Sequence, residues 1–173
     1  MKRRALLKGL ALLPALPLLG QAPLSLAEAI TAAATVQPLD KPHSAWRELL
    51  SEQAYAVLFE EDTERPGSSP LNQEKREGTY VCAACYLPLF NSQDKYESGT
   101  GWPSFTQPIA GHVGQKRDFK LIFPRTEYHC ARCGGHQGHV FDDGPKPRGE
   151  RWCNNGVALR FIPQGESLPE LRS

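Results

Sequence analysis

The sequence has no surplus of either charge: 20 Lys and Arg stand against 19 Asp and Glu, a formal net charge of +1. Even that small excess is local, because Lys2, Arg3, Arg4 and Lys8 all fall within the first eight residues. Beyond a leader ending at Ala27, 16 basic residues face 19 acidic ones, a net of −3, so no basic surface for nucleic acid is implied. The chain also lacks an unbroken apolar run of about 20 residues, the length that a membrane-spanning helix needs. Its longest candidate, Gly9 to Leu19, is short and interrupted by Pro14 and Pro17. Long helices are disfavoured by 15 Gly and 15 Pro, which point to turns and short strands. No internal repeat is visible. Cysteine pairing is incomplete too: five is an odd number, so a fully paired framework leaves one thiol over.

What remains is enough for one compact domain and an appendage, with 40% apolar and 9% aromatic residues in 173 to supply a core. Residues 1–29 read as a leader with a basic start, an apolar run and small residues at Ala27 and Ala29. Within it, Arg3-Arg4-Ala5-Leu6-Leu7-Lys8 resembles the twin-arginine export signal of bacteria, which implies a periplasmic destination. An ordinary secretory leader holding two arginines leads to the same compartment. Residues 30–42 lack apolar periodicity and read as a linker, residues 43–165 as the folded domain and 166–173 as a frayed tail.

Ser44 is placed to cap a short helix through Leu50, and a second helix is expected from Ser51, where Ala54, Val57 and Leu58 recur at helical spacing. It should stop before Thr63-Glu64-Arg65-Pro66-Gly67. From Gly78 the texture becomes β-prone, with short pieces at Thr79–Cys82, Leu87–Phe90, Phe119–Phe123, Glu127–Cys130, His139–Phe141 and Val157–Ile162. Such spacing predicts a mainly β fold of antiparallel sheets, preceded by short helices, rather than a βαβ arrangement.

Cys82-Ala83-Ala84-Cys85 and Cys130-Ala131-Arg132-Cys133 are two Cys-x-x-Cys knuckles with 44 residues between them. A two-residue spacer lets both thiolates of a knuckle face one ion, and two knuckles complete a tetrahedral zinc shell, closed and therefore structural. The alternatives are two disulfides or a thioredoxin-like redox pair; no helix N-terminus beside either knuckle is expected to lower a thiol pKa. His129, His43 and His112 are read as strand or surface residues rather than ligands.

Cys153 is then the cysteine without a partner. A lone cysteine is most often a small buried apolar residue. Two polar clusters compete with that reading: Ser98-Gly99-Thr100-Gly101-Trp102-Pro103-Ser104-Phe105, which fixes an indole in a loop, and His136-Gln137-Gly138-His139-Val140-Phe141-Asp142-Asp143-Gly144-Pro145. Gly138 suggests a turn between the two His, and neutral imidazoles suit proton transfer near pH 7.

Together with Arg151-x-Cys153-x-Asn155-x3-Leu159-x-Phe161, these motifs closely resemble the type B methionine sulfoxide reductases, in order, from about Trp46 to Pro163. The resemblance implies two small antiparallel sheets, a structural zinc held away from the active site, and reduction of the R epimer of methionine sulfoxide in oxidised proteins and peptides. By position, Cys153 resembles the nucleophile and Trp102 the wall that receives the substrate methyl group. His136, His139 and Asn155 correspond to the polar groups that hold the sulfoxide oxygen. Arg151 occupies the place of a cation that favours thiolate over thiol. Where many relatives carry a resolving cysteine this chain has Thr100, which implies a one-cysteine cycle through a sulfenic acid, reduced by an external thiol donor, thioredoxin-like or membrane-linked. Gly156 after Asn155 removes a hydroxyl that some relatives carry, and Gly67 after Pro66 is a further departure. A monomer is expected. The rival classes are a zinc-knuckle binding module with a Trp pocket and a dithiol–disulfide protein.

Overall fold

The computed structural model describes residues 36–120 and 123–173. The expected leader and the first part of the expected linker lie outside the described residues.

Among the described residues, helical structure is confined to the beginning of the domain and to single turns. A 3-10 turn, His43–Trp46, replaces the helix expected from Ser44 to Leu50. Its product is the burial of Trp46, which stacks on Phe59 with ring centroids 5.8 Å apart. Helix α1, Glu52–Glu60, starts at Ser51, whose side chain accepts a hydrogen bond from the Ala54 amide. It ends where Glu61 turns left-handed, φ 57°. Ala54, Tyr55, Val57 and Leu58 bury one face of this helix, each large side chain contributing about 1.5–3 kcal/mol of transfer free energy.

Among the described residues nine strands follow: β1 Gly78–Cys82, β2 Pro88–Asn91, β3 Lys95–Tyr96, β4 Ser104–Phe105, β5 Val113–Asp118, β6 Arg125–Cys130, β7 His136–Phe141, β8 Arg151–Asn154 and β9 Leu159–Pro163. They form two antiparallel sheets, β2-β1-β9 and β3-β4-β8-β7-β6-β5. The core lies between them, where Phe90 stacks on Phe105 at 4.1 Å and Tyr128 meets Trp152 edge-on at 5.0 Å.

Four sequence expectations change. Of the Phe119–Phe123 piece, the described residues Phe119, Lys120 and Phe123 lie outside any strand: β5 ends at Asp118, and Phe119 and Phe123 are exposed. β8, which carries Cys153, was not anticipated, because only Trp152 in Arg151-Trp152-Cys153-Asn154 looks like a strand residue. The two His do not flank a turn, since His136 and His139 belong to one strand, β7. The C-terminal tail is pinned rather than frayed: the Arg172 amide donates to the Cys85 carbonyl at 3.1 Å, and its guanidinium meets Tyr86.

Candidate active site and metal centre

The two knuckles adopt one conformation twice. Each begins at the end of a strand, with the first cysteine amide bonded to the carbonyl five residues on: Cys82 to Leu87 at 2.8 Å, Cys130 to Gly135 at 2.9 Å. β1 belongs to one sheet and β6 to the other, so the cluster joins the two sheets. The four Sγ atoms lie within 4.8 Å of one another, with Cys82–Cys133 at 3.7 Å and Cys85–Cys130 at 3.5 Å. These separations are far above the roughly 2.05 Å of a disulfide, and all four side chains are buried. Their donor set and spacing are those of residues positioned to hold one metal ion. His129 and His112 are not among them: His129 sits in β6, and His112 Nδ1 lies 2.6 Å from the Pro88 carbonyl.

Cys153 stands in the middle of the six-stranded sheet. In antiparallel pairs, residues directly opposite share a face. One such row crosses the whole sheet: Tyr96, Ser104, Cys153, His139, Glu127 and Lys116. Trp152 and Asn154, alternating with Cys153 along β8, point into the core instead. The strand period thus puts the thiol on the polar side and the indole of Trp152 in the packing.

His136 would ordinarily face away from His139, three positions on. A β-bulge restores it. Between Tyr128 and His129 on β6, the register advances two residues on β7, so Gln137 is the extra residue and His136 returns to the face of His139. Their rings meet edge-on, 5.4 Å between centroids. Next to the bulge, Gly138 is required by close approach, since a Cβ there would overlap the Cys153 carbonyl oxygen.

A cleft of about 100 Å³ opens on the thiol, and its walls include Thr63, Trp102, Arg125, His139, Phe141, Cys153 and Asn155. Through Thr63, Arg125 and His139 it runs into a larger charged groove of about 380 Å³ that also reaches His136, Asp118 and Lys116. Trp102, His139, Cys153 and Asn155 therefore come together at one cleft. His136 stands one step behind, 3% exposed, bonded through Nδ1 to Glu127 at 2.9 Å. Arg151 lies beside the thiol on the same face of β8 but outside the cleft walls. Asn155 lines the cleft while its amide is largely engaged: Oδ1 accepts from the Glu64 amide and Nδ2 donates to the Gln137 carbonyl, both at 3.1 Å. An amide nitrogen carries two hydrogens, so one donor remains.

Several carboxylates, invisible in the sequence as site residues, set the electrostatics. Asp118 accepts from Arg125 at 2.6 Å and contacts His139 Nε2 at 2.8 Å. Its carboxyl is held far below the usual range, first by the Lys120 amide and then by His139 and Arg125. An ionised carboxylate only accepts, so His139 carries its proton on Nε2 and leaves Nδ1 free. Burial pushes the His139 pKa down, against the pull of Asp118, so the ring is neutral near pH 7. Burial likewise lowers His136, to about 4, despite the opposing charge of Glu61.

Arg151 is held by Asp143 in a two-pronged pair at 2.8 and 2.9 Å and lies over the Phe141 ring at 4.3 Å. Its charge does draw the Cys153 thiol toward thiolate, as does Thr100, but burial is the larger effect and the thiol pKa stays above its ordinary value. Arg151 thus favours thiolate over thiol without outweighing burial. Thr100 and Ser98 share a 2.8 Å hydrogen bond, and Ser98 a second with Ser104, which stands opposite Cys153 on β4. Gly156 is explained by packing, since a Cβ there would overlap Ser69 Oγ.

One thiol in a polar cleft, kept apart from four buried cysteines positioned to hold a metal ion, defines a thiol-dependent redox protein rather than a disulfide-built module. The SelR domain model matches residues 50–163, and the chain belongs to that family. It is 51% identical over 125 residues to the peptide methionine sulfoxide reductase MsrB of Bradyrhizobium diazoefficiens, covering 72% of this chain and 90% of the relative. It is 46% identical to the MsrB of Methanosarcina barkeri, covering 74% and 91%, and 47% identical to that of Pseudomonas putida, covering 75% and 98%.

Proposed function

We propose that the protein reduces methionine (R)-sulfoxide in oxidised proteins and peptides to methionine, with Cys153 as nucleophile. The observation that carries this reading is the pairing of Cys153 with His139 across β7 and β8, at the floor of a cleft walled by Trp102. The sulfoxide methyl group packs on the indole of Trp102, and the oxygen lies toward His139 and the free amide donor of Asn155. Cys153 gives its proton to His139 Nδ1 and attacks the sulfoxide sulfur. The imidazolium, held by Asp118, then protonates the oxygen. The hydroxyl then passes from the substrate sulfur to Cys153 Sγ as the Sγ–substrate bond breaks with its electron pair left on methionine, so the substrate sulfur is reduced by two electrons and Cys153 is oxidised by two, to a sulfenic acid. One external thiol displaces water to form a mixed disulfide, and a second releases the Cys153 thiol together with the donor's own disulfide. The other four cysteines face each other in the knuckles, so the reductant comes from outside the chain.

The metal is proposed to be zinc. Tetrahedral bonds of about 2.3 Å place thiolates about 3.8 Å apart, close to the 3.5 and 3.7 Å contacts between the knuckles. When bound it supplies structural cross-linking between the sheets and takes no part in the reaction. Residues 43–165 are proposed as the reductase unit, and residues 1–29 as a leader of the twin-arginine kind that delivers the chain folded and metal-loaded to a bacterial periplasm.

Resolved R and S epimers of a methionine sulfoxide peptide, offered with dithiothreitol, test the reading. Activity on R alone supports it; activity on S, or on neither, overturns it.

A further inference from the structure

We infer that Glu64 is a positioning residue for the reaction proposed above, holding both the Trp102 wall and the Asn155 corner of the cleft in register with Cys153. The inference rests on that reading only for its kinetic consequence; the contacts stand independently.

Glu64 is 4% exposed, and no Lys, Arg or His among the described residues pairs with it. A buried carboxylate without a cation is costly unless it is well bonded. Here both oxygens are used by consecutive amides: Oε1 accepts from Gly156 at 2.5 Å and Oε2 from Val157 at 2.9 Å. Those amides open the 3-10 turn Gly156–Ala158, which begins three residues after Cys153. The carboxylate therefore pins the chain just beyond the nucleophile.

The backbone of the same residue reaches the two remaining features of the cleft. Its amide donates to Asn155 Oδ1 at 3.1 Å, and its carbonyl accepts from Trp102 Nε1 at 3.1 Å. Asn155 is tied in turn to the bulge residue, through bonds from its amide and Nδ2 to the Gln137 carbonyl at 2.8 and 3.1 Å. One residue thus joins the indole loop, the turn after β8 and the bulge that aims His136. Neighbouring contacts reinforce the arrangement: the Gly67 amide donates to the Gly101 carbonyl at 2.7 Å, and Ser69 fills the space beside Gly156. No group of Glu64 lines the cleft at Cys153, so it acts through Trp102 and Asn155 rather than on substrate.

Removing the carboxylate leaves the backbone bonds possible but frees the segment that makes them. The consequence falls first on the indole, whose only fixed polar anchor is the Glu64 carbonyl. Substrate binding should weaken more than the chemical step, because the methyl-receiving wall is displaced while Cys153 and His139 remain paired on their strands.

The experiment uses the metal-loaded protein and the variants Glu64→Ala, Glu64→Gln, Trp102→Ala and the double variant Glu64→Ala/Trp102→Ala. Kinetics on an R-sulfoxide peptide are read beside the nitrogen-15 indole spectrum, in which Trp102 is identified by its loss in Trp102→Ala. The expected result for Glu64→Ala is a KM raised at least 10-fold with kcat within 3-fold, a shifted and faster-exchanging Trp102 indole N–H, and unmoved Trp46 and Trp152 signals. Glu64→Gln keeps one acceptor and should fall between wild type and Glu64→Ala. In the double variant the KM effects should not multiply. Multiplying effects, or an unshifted Trp102 indole in folded Glu64→Ala or Glu64→Gln, would overturn the inference. If the wild-type protein reduces no sulfoxide, the proposed reaction fails, while the indole signals still decide the role of Glu64.

Discussion

Cys153 and His139 stand directly opposite each other on antiparallel strands, and Asp118 holds the far nitrogen of the imidazole at 2.8 Å. A carboxylate, an imidazole and a thiol in that order fix the tautomer that can take the thiol proton, the same logic by which triads activate a weak nucleophile.

Asp118→Asn replaces an obligate acceptor with an amide that can present a donor to His139 Nε2. General acid–base groups contribute about 10²–10⁴-fold, and a tautomer-fixing partner acts through that same step. We expect kcat to fall at least 10-fold with KM within 3-fold, and His139→Gln to fall further. Steady-state kinetics on the R-sulfoxide peptide check this; an unchanged kcat in Asp118→Asn would contradict the assignment.

The pH dependence of the rate follows from burial. The Cys153 pKa is raised above the ordinary thiol value, so the thiolate fraction grows with pH through the neutral range and beyond. Alkylation of Cys153 by iodoacetamide should speed up with pH and level off only above the ordinary thiol value. Arg151→Ala removes a group that lowers this pKa, so its curve should lie further toward alkaline pH. A curve that levels below neutrality would show a resting thiolate instead.

Stability should fall on mild acidification. His136 has a folded pKa of about 4, against about 6.5 in an unfolded chain. Between those values the unfolded chain binds the proton and the folded one does not, so stability present above pH 6.5 is lost as pH falls toward 4. His139, also lowered, acts in the same direction. Urea midpoints at pH 7, 5.5 and 4.5 should decrease in that order in the wild type and less steeply in His136→Asn. Equal slopes would remove His136 as the cause.

Metal removal should unfold the domain rather than merely inactivate it. Structural zinc sites supply about 10–16 kcal/mol of apparent binding free energy, comparable to the about 5–15 kcal/mol of net stability of a whole domain. The cluster also joins the two sheets. Native protein should hold about one zinc and expose one reactive thiol; with chelator it should expose five and lose its near-ultraviolet circular dichroism. A chelated protein that keeps its tertiary signal would show that the sheets hold without the ion.

Features that depend on neighbours in sequence were legible, and those that depend on strand register were not. Cys82, Cys85, Cys130 and Cys133 could be grouped because each knuckle is local and only one grouping fills a tetrahedral shell. Ser51 and the apolar spacing of Ala54, Val57 and Leu58 located α1 in the same way. β8 escaped notice because its outward residues are Arg151 and Cys153, which the site needs and a strand pattern does not suggest. Phe119–Phe123 looked like a strand because it is apolar, yet the hydrogen-bonded ladder of β5 uses the polar run Val113–Asp118. Asp118, Glu127 and Glu64 lie 21, 9 and 38 residues from the site residues they support, His139, His136 and Trp102, and no spacing rule connects them.

The most direct measurement is the mass of the intact protein after a single turnover with one equivalent of R-sulfoxide peptide and no reductant, with and without a sulfenic acid trap. The expected result is one added oxygen on Cys153, or one molecule of trap there, with no loss of free thiols elsewhere and no product from Cys153→Ser. An internal disulfide involving Cys153, or methionine released by Cys153→Ser, would contradict a cycle run on a single sulfur.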